Sequence, residues 1–320
     1  MEPQPDLAGD QFTRMRREIV AGLAQPQKTV ACKYLYDERG SHLFERICDL
    51  PEYYPTRTEI AILRRHGDEM AAELGPGCLV LEYGSGSAVK TELLLSRLAT
   101  PVAYVPIEIS EDALLASLRR LRGRFPRLEV LPVCADYTEP LDLPHPRLEP
   151  RRRAAFFPGS TIGNFAPGAA QRFLRRIRRT VGRDGALLIG VDLRKDPAVL
   201  EAAYDDAAGV TAAFDLNLLR RLNRDLGADF VLDRFRHRAV WNDEHGRVEM
   251  HLESLVPQSV RVNGTRVEFR AGETIHTENS YKYTLEEFSA LAAGCGWQVR
   301  SVWTDDARLF SVQYLGPAAR

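Results

Sequence analysis

The chain lacks an excess of charge of either sign and has no paired cysteine motif. Its 320 residues carry 43 Lys and Arg against 44 Asp and Glu, so no bulk field attracts nucleic acid or an anionic membrane. The five cysteines are odd in number and scattered, which argues against disulfides and a thiolate metal site and favours a reducing cytoplasm. The seven histidines show no ligand spacing, and we predict no metal site.

Long apolar runs are also absent. No stretch reaches the roughly 18–20 apolar residues that a membrane span requires, and residues 1–6 have no signal-peptide core. These features predict a cytoplasmic protein with no membrane and no nucleic-acid partner, and we expect a monomer. The arginine-rich segments 151–153 and 172–179 are interpreted as a loop and a solvated helix face, with RNA binding as the alternative.

Helices and strands alternate from about residue 58 onward. The predicted strands are 78–82, 102–107, 128–133, 154–157 and 186–191. Helical patterns separate them, as in right-handed βαβ units, and predict an α/β fold with a parallel sheet. The composition, 44% hydrophobic and 27% charged, is that of an ordinary globular protein.

The alternation stops after Asp192. A helical stretch from Asp196 to about Asp225, with a break near Gly209, is followed by short strands and a two-residue hairpin signal at Asn263-Gly264. A helix at 285–293 and a closing hairpin end the chain. We therefore expect four segments: 1–57 and the insertion 194–282 as a second domain, and 58–193 with 283–320 as the core.

A glycine-rich turn, Glu82-Tyr-Gly-Ser-Gly-Ser87, follows the first predicted strand. Ligands of open α/β sheets bind at the carboxyl ends of the strands, where glycines such as Gly84 and Gly86 let the backbone approach them. The third glycine of a dinucleotide fingerprint is missing, which argues against a bound pyrophosphate. Taken alone, the turn is equally compatible with a plain strand-to-helix connection.

Acidic residues end the next two predicted strands. Glu108 stands where a ribose diol would accept a bidentate carboxylate, and Asp136 with Tyr137 suits an adenine amino group and ring face. The alternatives are a solvated strand-end carboxylate for Glu108 and a turn or helix cap for Asp136. Together with the shortened glycine loop, these acids resemble the site of a class I S-adenosylmethionine-dependent methyltransferase.

Longer strings of the sequence resemble one family, the L-histidine Nα-methyltransferases of ergothioneine biosynthesis. The strings are Tyr36–Phe44, Leu50–Glu59, Gly159–Asn164, Ala203–Phe214, Val248–Met250 and Thr277–Lys282. The resemblance extends from about Lys33 to the C-terminus. It implies a Rossmann-like class I methyltransferase core with a second, substrate-binding domain that is formed by the N-terminal segment and the insertion.

The resemblance also implies roles for individual residues. S-adenosylmethionine would be held by Gly84, Gly86, Lys90, Glu108, Asp136 and Tyr137. L-histidine would be bound by Tyr36, Phe44, Tyr53, Gly159, Thr161, Asn164, Tyr204, Met250, Glu278 and Ser280. Among these, Asn164 and Tyr204 would bind the carboxylate, Tyr36 and Tyr53 would line the amino group, and Glu278 with Ser280 would hold the imidazole.

The implied reaction is three successive methylations of the α-amino group, giving Nα,Nα,Nα-trimethylhistidine (hercynine). No strong base is evident among the implied residues, and Tyr36 is the candidate for guiding the proton away. Taken singly, each tyrosine and Met250 also fits a plain core position. The rival functions are methylation of another aromatic amino acid or amine, and a non-catalytic protein that binds S-adenosylmethionine.

Overall fold

The computed structural model of the protein describes residues 7–86 and 88–318 and divides into two compact units. Unit 1 takes in the chain up to Ile47, Pro197–Asn242 and Val248–Asn279; unit 2 takes in Cys48–Asp196, Asp243–Arg247 and the chain from Ser280 onward. Ser87 of the glycine-rich turn and the extreme ends of the first and last expected segments lie outside the described residues.

The helices and strands are numbered in chain order. The helices are α1 (Leu7–Leu23), α2 (Glu38–Cys48), α3 (Tyr54–Leu74), α4 (Val89–Leu95), α5 (Glu111–Arg124), α6 (Pro167–Val181), α7 (Pro197–Tyr204), α8 (Val210–Leu226) and α9 (Leu285–Ala293). The strands are β1 (Lys28–Thr29), β2 (Cys78–Tyr83), β3 (Ala103–Glu108), β4 (Glu129–Val130), β5 (Val133–Cys134), β6 (Arg152–Phe157), β7 (Ala186–Asp192), β8 (Phe235–Asn242), β9 (Arg247–Ser254), β10 (Gln258–Val262), β11 (Thr265–Phe269), β12 (Thr274–Tyr281), β13 (Trp297–Thr304) and β14 (Phe310–Pro317).

Unit 2 contains the large sheet, in the order β13-β14-β7-β6-β2-β3-β4, with β5 also pairing β3. Strands β7, β6, β2 and β3 are parallel neighbours, whereas β14 runs antiparallel to β7 and to β13. Every residue of β2 and β7 is buried, as expected when both faces of a parallel sheet are covered. The predicted α/β fold with a parallel sheet is confirmed.

One predicted strand is interrupted. In place of a continuous strand over 128–133, the chain forms β4 and β5, each of two residues and each paired with β3. Pro132 lies in the gap, and because proline has no N–H it cannot continue the ladder. The interruption leaves the carboxyl end of β5 beside the carboxyl end of β3.

Unit 1 contains a four-stranded sheet in the order β1-β12-β9-β8 and a separate two-stranded sheet of β10 and β11. The β10–β11 pairing brings Val262 opposite Thr265. Asn263 and Gly264 between them have φ values of 49° and 81°. Two positive φ values are the signature of a type I′ turn, so the hairpin predicted from Asn-Gly is confirmed.

The compact units and the expected segments differ at their boundaries. The N-terminal range of unit 1 ends at Ile47, whereas the sequence predicted a boundary at residue 57. The reason lies in α3, which packs against β14, β13 and β7 within unit 2. Residues 243–247 also belong to unit 2. Within residues 7–86 and 88–318, no helix combines the length and the apolar character needed to cross a bilayer.

Candidate functional site

The glycine loop after β2 is open on one side. Gly84 and Gly86 have φ values of 78° and 43°, a region that favours glycine. A Cβ built on Gly86 would meet nothing within 4 Å, and one on Gly84 would meet only the Tyr137 ring, at 3.7 Å. The loop therefore offers its backbone to a ligand without obstruction from the described side chains.

Glu108 lies directly beside this loop. Its Oε2 accepts a hydrogen bond from Gly86 N–H (3.3 Å), and its Oε1 accepts from Ile109 N–H (2.9 Å) and Ser110 N–H (3.2 Å). Three backbone donors fix the carboxylate at the end of β3. A carboxylate fixed in this way is suited to accept two hydroxyl groups of a ribose.

The second strand-end acid follows β5. Glu108 pairs with Cys134, and Ala135 N–H donates to Glu108 O at 3.0 Å, so Asp136 follows at the neighbouring strand end. Asp136 Oδ1 accepts from the backbone N–H (2.9 Å) and hydroxyl (2.5 Å) of Thr138. The cap predicted as an alternative for Asp136 is thus present.

Tyr137 belongs to an aromatic cluster at the same edge of the sheet. Its ring is edge-to-face with Tyr83 (centroids 6.1 Å apart) and with Phe157 (6.0 Å), and it tilts against Phe173 (5.6 Å). These contacts hold the ring beside Gly84. Open glycines, a fixed carboxylate, a second acid and an aromatic ring fit an adenosyl group at this edge.

The structure gives Lys90 a protein partner. Its Nζ lies 2.5 Å from Oε2 of Glu59, a fully buried carboxylate of α3. The same carboxylate accepts from Gly159 N–H at 2.8 Å. Glu59 therefore links two of the predicted site residues, and sequence reasoning did not single it out. The signal was an acid at the end of the quoted string 50–59, on a helix face that is otherwise apolar.

A second buried acid, Glu82, lies in the strand that leads into the glycine loop. Oε2 of Glu82, in β2, accepts from the hydroxyl groups of Thr91 (2.7 Å) and Tyr104 (2.5 Å). Burial raises the pKa of Glu82 to about 8, although both hydrogen bonds oppose the shift. The side chain ties α4 and β3 to the strand that precedes the loop.

Three predicted substrate residues of unit 2, Gly159, Thr161 and Asn164, follow β6 directly along the chain. Gly159 has a φ of 80°, and Thr161 Oγ1 donates to Pro158 O at 3.0 Å. Thr161–Asn164 form a 3₁₀ turn. A Cβ on Gly163 would lie 2.8 Å from Tyr281 O, so this turn packs closely on the end of β12. Tyr53 precedes α3 and is buried.

Ser280 is held by a buried ion cluster. Lys282 Nζ donates to Ser280 Oγ at 2.7 Å and lies 2.6 Å from Asp192 Oδ2. Lys195 and the Tyr54 hydroxyl also contact Asp192, at 2.7 and 2.8 Å. Burial alone would raise the pKa of Asp192, but the two ammonium groups outweigh it and lower that pKa. Burial lowers the pKa of Lys195 to about 8.

Predicted residues of unit 1 form an aromatic group. The Tyr36 ring is edge-to-face with Phe44 (centroids 5.5 Å apart) and with Phe214 (5.4 Å), and the two phenylalanine rings are 6.0 Å apart. Phe214 completes the group and was not predicted as a site residue, although it ends the quoted string 203–214. Aromatic faces in such an arrangement attract a cation.

Three further predicted residues lie in unit 1. Met250 is on β9 and Glu278 is on the neighbouring β12, where Thr277 Oγ1 donates to Met250 O at 3.1 Å. Both side chains are buried. Tyr204 is the last residue of α7, and its carbonyl group accepts from His237 at 2.8 Å.

Strand pairing also assembles a group with potential metal ligands, where spacing along the sequence indicated none. One ligand atom each of Glu249, His251 and His276 lies within 4.8 Å of the others. His251 Nε2 is 3.0 Å from Glu249 Oε2, and the two imidazoles stack with centroids 4.7 Å apart. These contacts tie β9 to β12, and the proximity arises from strands that are neighbours in the sheet but distant in sequence.

Comparison with known proteins gives a consistent result. A family model described as "Histidine-specific methyltransferase, SAM-dependent" matches residues 15–317. The histidine N-alpha-methyltransferase of Mycolicibacterium smegmatis is 41% identical over 313 residues, which are 96% of each chain. That of Mycobacterium tuberculosis is 39% identical over 304 residues, 93% of each chain. The ergothioneine biosynthesis protein 1 of Neurospora crassa is 34% identical over 278 residues, 84% of this chain and 31% of that protein.

Proposed function

Because the chain belongs to the family of S-adenosylmethionine-dependent, histidine-specific methyltransferases, we propose that it methylates the α-amino group of L-histidine three times and releases hercynine. The protein is a class I methyltransferase, and its reaction, the methylation of histidine with S-adenosylmethionine, belongs to ergothioneine biosynthesis.

The observation that carries the cofactor assignment is the carboxylate of Glu108, fixed beside the open loop at Gly86. We assign S-adenosylmethionine to Gly84, Gly86, Lys90, Glu108, Asp136 and Tyr137. When bound, it supplies an electrophilic methyl group, which moves from sulfur to nitrogen while the nitrogen loses a proton. Lys90 is also paired with Glu59, whose carboxylate accepts from Gly159 N–H.

The proposed substrate residues divide by chemistry. The amide of Asn164 and the phenol of Tyr204 bind the substrate carboxylate without burying a net positive charge. Glu278 accepts from the imidazole N–H. Ser280 accepts a hydrogen bond from Lys282, and we assign its hydroxyl group to the second ring nitrogen. A pocket that pairs both ring nitrogens rejects apolar side chains, since its own polar groups would lose their partners.

The aromatic group of Tyr36, Phe44 and Phe214 supports repeated methylation. The nitrogen becomes a quaternary ammonium only in the last product, and aromatic faces stabilise such a cation without hydrogen bonds. Tyr36 is also the proposed group for guiding the proton away from the amine. Tyr53, Gly159, Thr161 and Met250 are the remaining residues that we assign to the substrate.

Incubation with S-adenosylmethionine and all twenty amino acids, followed by mass spectrometry, tests the substrate. Among the twenty amino acids, we expect only histidine to be methylated to a large extent. A time course with excess cofactor tests the product: histidine should proceed to the trimethyl form, and added dimethylhistidine should be consumed. Accumulation of mono- or dimethylhistidine as the final product would show that three methylations do not occur.

A further inference from the structure

A buried histidine of unit 1 lies between two hydrogen-bond acceptors. His237, in β8, has Nδ1 at 2.7 Å from Asp215 Oδ2, on α8. Its Nε2 lies 2.8 Å from the carbonyl oxygen of Tyr204, at the end of α7. The side chains of His237 and Asp215 are 1% and 0% exposed. The imidazole therefore joins the two helices to the sheet.

The hydrogen-bond contacts of His237 favour its protonated form. A carbonyl oxygen accepts only, and a carboxylate accepts only, whereas a neutral imidazole has a single N–H. Both contacts are satisfied at once when His237 is an imidazolium and Asp215 is its counterion. Burial lowers the pKa of His237, but the hydrogen bond and the charge of Asp215 outweigh it, so the pKa is raised.

The other charged groups around His237 are acidic or already engaged. Asp205, just after α7, also favours the imidazolium. Glu201 of α7 accepts from Trp241 N–H. On β9, Glu249 accepts from Asn242, and Glu253 pairs with Arg236 on the exposed side of β8. His251 of β9 is engaged with Glu249, while Asp233 and Arg234, before β8, are exposed.

The carbonyl that His237 binds belongs to the last turn of a helix. Carbonyl groups at this position have no partner within the helix, and a cation there is favoured by the helix dipole. On the far side of the turn, Asp206 accepts from Val210 N–H (2.9 Å) and Thr211 N–H (2.7 Å) at the start of α8. The backbone on both sides of Asp205 is thus held by buried polar groups.

We propose that His237 is a positioning residue for Tyr204. Its imidazolium, anchored on Asp215, fixes the end of α7 and with it the direction of the Tyr204 phenol. This inference rests on the proposed function, in which that phenol binds the substrate carboxylate. His237 does not itself touch substrate, so its removal affects the binding of histidine and leaves the binding of S-adenosylmethionine unchanged.

A double-mutant cycle tests the connection. His237→Gln keeps a polar side chain but is uncharged and has both of its N–H donors on one nitrogen. It should raise KM for histidine roughly tenfold with kcat within about threefold. In a Tyr204→Phe background the same change should raise KM less than about twofold further, since the phenol it positions is gone. His42→Gln, on α2 and largely exposed, is the matched control. Calorimetry should give one cofactor affinity for all these variants.

Each outcome bears on a different claim. A raised KM in Tyr204→Phe with an unchanged KM in His237→Gln overturns this inference alone, as does a full tenfold effect in both backgrounds. An unchanged KM in Tyr204→Phe removes Tyr204 from the proposed substrate site, and this inference with it.

The pH dependence supplies a second test if His237→Gln does not fold. Asp215→Asn keeps the side-chain volume but removes the counterion, and so lowers the pKa of His237. The alkaline rise in KM should then begin at a lower pH than in the natural protein, while the histidine amine titrates equally in both. Superimposable KM profiles from about pH 6 to about pH 9 would overturn the proposal.

Discussion

Lys282 donates a hydrogen bond to Ser280 Oγ while its ammonium lies 2.6 Å from Asp192. Both residues of this pair are on the chain segment where β12 ends, and both are buried. A hydroxyl group that accepts from an ammonium keeps its own hydrogen for an acceptor. The ion cluster therefore sets the direction of the hydroxyl that we assign to the imidazole.

Two matched lysine variants separate this effect from stability. Lys195 and Lys282 both pair with Asp192, but of the two only Lys282 is bonded to Ser280 among the described contacts. Replacing either by Met should lower the free energy of unfolding by about 3 kcal/mol, since a buried pair is broken. Only Lys282→Met should raise KM for histidine, by roughly tenfold. Equal KM values in the two folded variants would contradict the orienting role.

Glu278 is the residue on which selectivity depends. Glu278→Ala should reduce kcat/KM for histidine by about 2–4 kcal/mol, or roughly 30- to 1,000-fold, because a charge-assisted hydrogen bond to the imidazole is lost. Cofactor affinity should be unchanged, and activity on a larger apolar amino acid should fall less. Glu268→Ala, an exposed acid of β11, is the control. Normal turnover of histidine by folded Glu278→Ala would refute the pairing.

Glu108 is expected to act on the cofactor instead. Glu108→Ala removes a carboxylate that three backbone N–H groups hold in place, and should weaken S-adenosylmethionine binding by about 1–3 kcal/mol. Calorimetry measures the change, with Glu111→Ala, an acid in the first turn of α5, as the comparison. An unchanged affinity would remove Glu108 from the site.

Glu59 connects Lys90 to the Gly159 segment, so its charge should matter to both. Glu59→Gln keeps the shape but removes the ion pair, and we expect a loss of about 2 kcal/mol in unfolding free energy because Lys90 is near the surface and can be hydrated. Both the cofactor affinity and KM for histidine should change. Asp68→Asn, at an exposed position of the same helix, is the control and should leave the free energy of unfolding, the cofactor affinity and KM unchanged. Chemical denaturation and kinetics measure these changes.

Asp206 should contribute to stability in a pH-dependent way. Burial alone would raise its pKa, but the hydrogen bonds from Thr211 and Val210 outweigh it and lower that pKa. A lowered pKa means that the contribution is present above the unfolded value near about 4 and is lost as the pH falls through the folded value. Asp206→Ala should cost about 1–2 kcal/mol at neutral pH, the scale of a lost N-terminal cap.

Urea denaturation at several pH values measures this contribution. The difference between Asp206→Ala and the natural protein should shrink on acidification. Asp233→Ala, an exposed acid of the same unit, should show no such difference. If the difference in unfolding free energy between Asp206→Ala and the natural protein stays constant down to about pH 3, the pH-dependent contribution of Asp206 is contradicted.

Local patterns in the sequence were sufficient for much of the fold. The Asn263-Gly264 turn needs two positive φ values wherever it occurs, and the helix 285–293 is bounded by its own capping box at Thr284 and Glu287. The strand over 128–133 was expected to be continuous and is not. Pro132 indicated a break in the strand, whereas the prediction of a continuous strand rested on the apolar character of the segment.

Such local patterns did not predict the contacts that support the site. Glu59 and Gly159 are 100 residues apart, and His237 and Tyr204 are 33 residues apart. Each pair forms only because the sheet brings distant segments together, and nothing in the local sequence shows that a buried acid or imidazole has found its partner. For the same reason the pairing of Lys90 with Glu59 was not predicted from the sequence.

The cluster of Asp192, Lys195 and Lys282 also constrains how this protein can change over generations. Losing the acid alone would bury two ammonium groups without a counterion, and losing both lysines would bury a bare carboxylate; either intermediate would be strongly destabilised. A lineage can therefore lose Asp192 only together with both lysines, and sequences that descend from a common ancestor should carry Asp192 with at least one of these lysines, or none of the three residues.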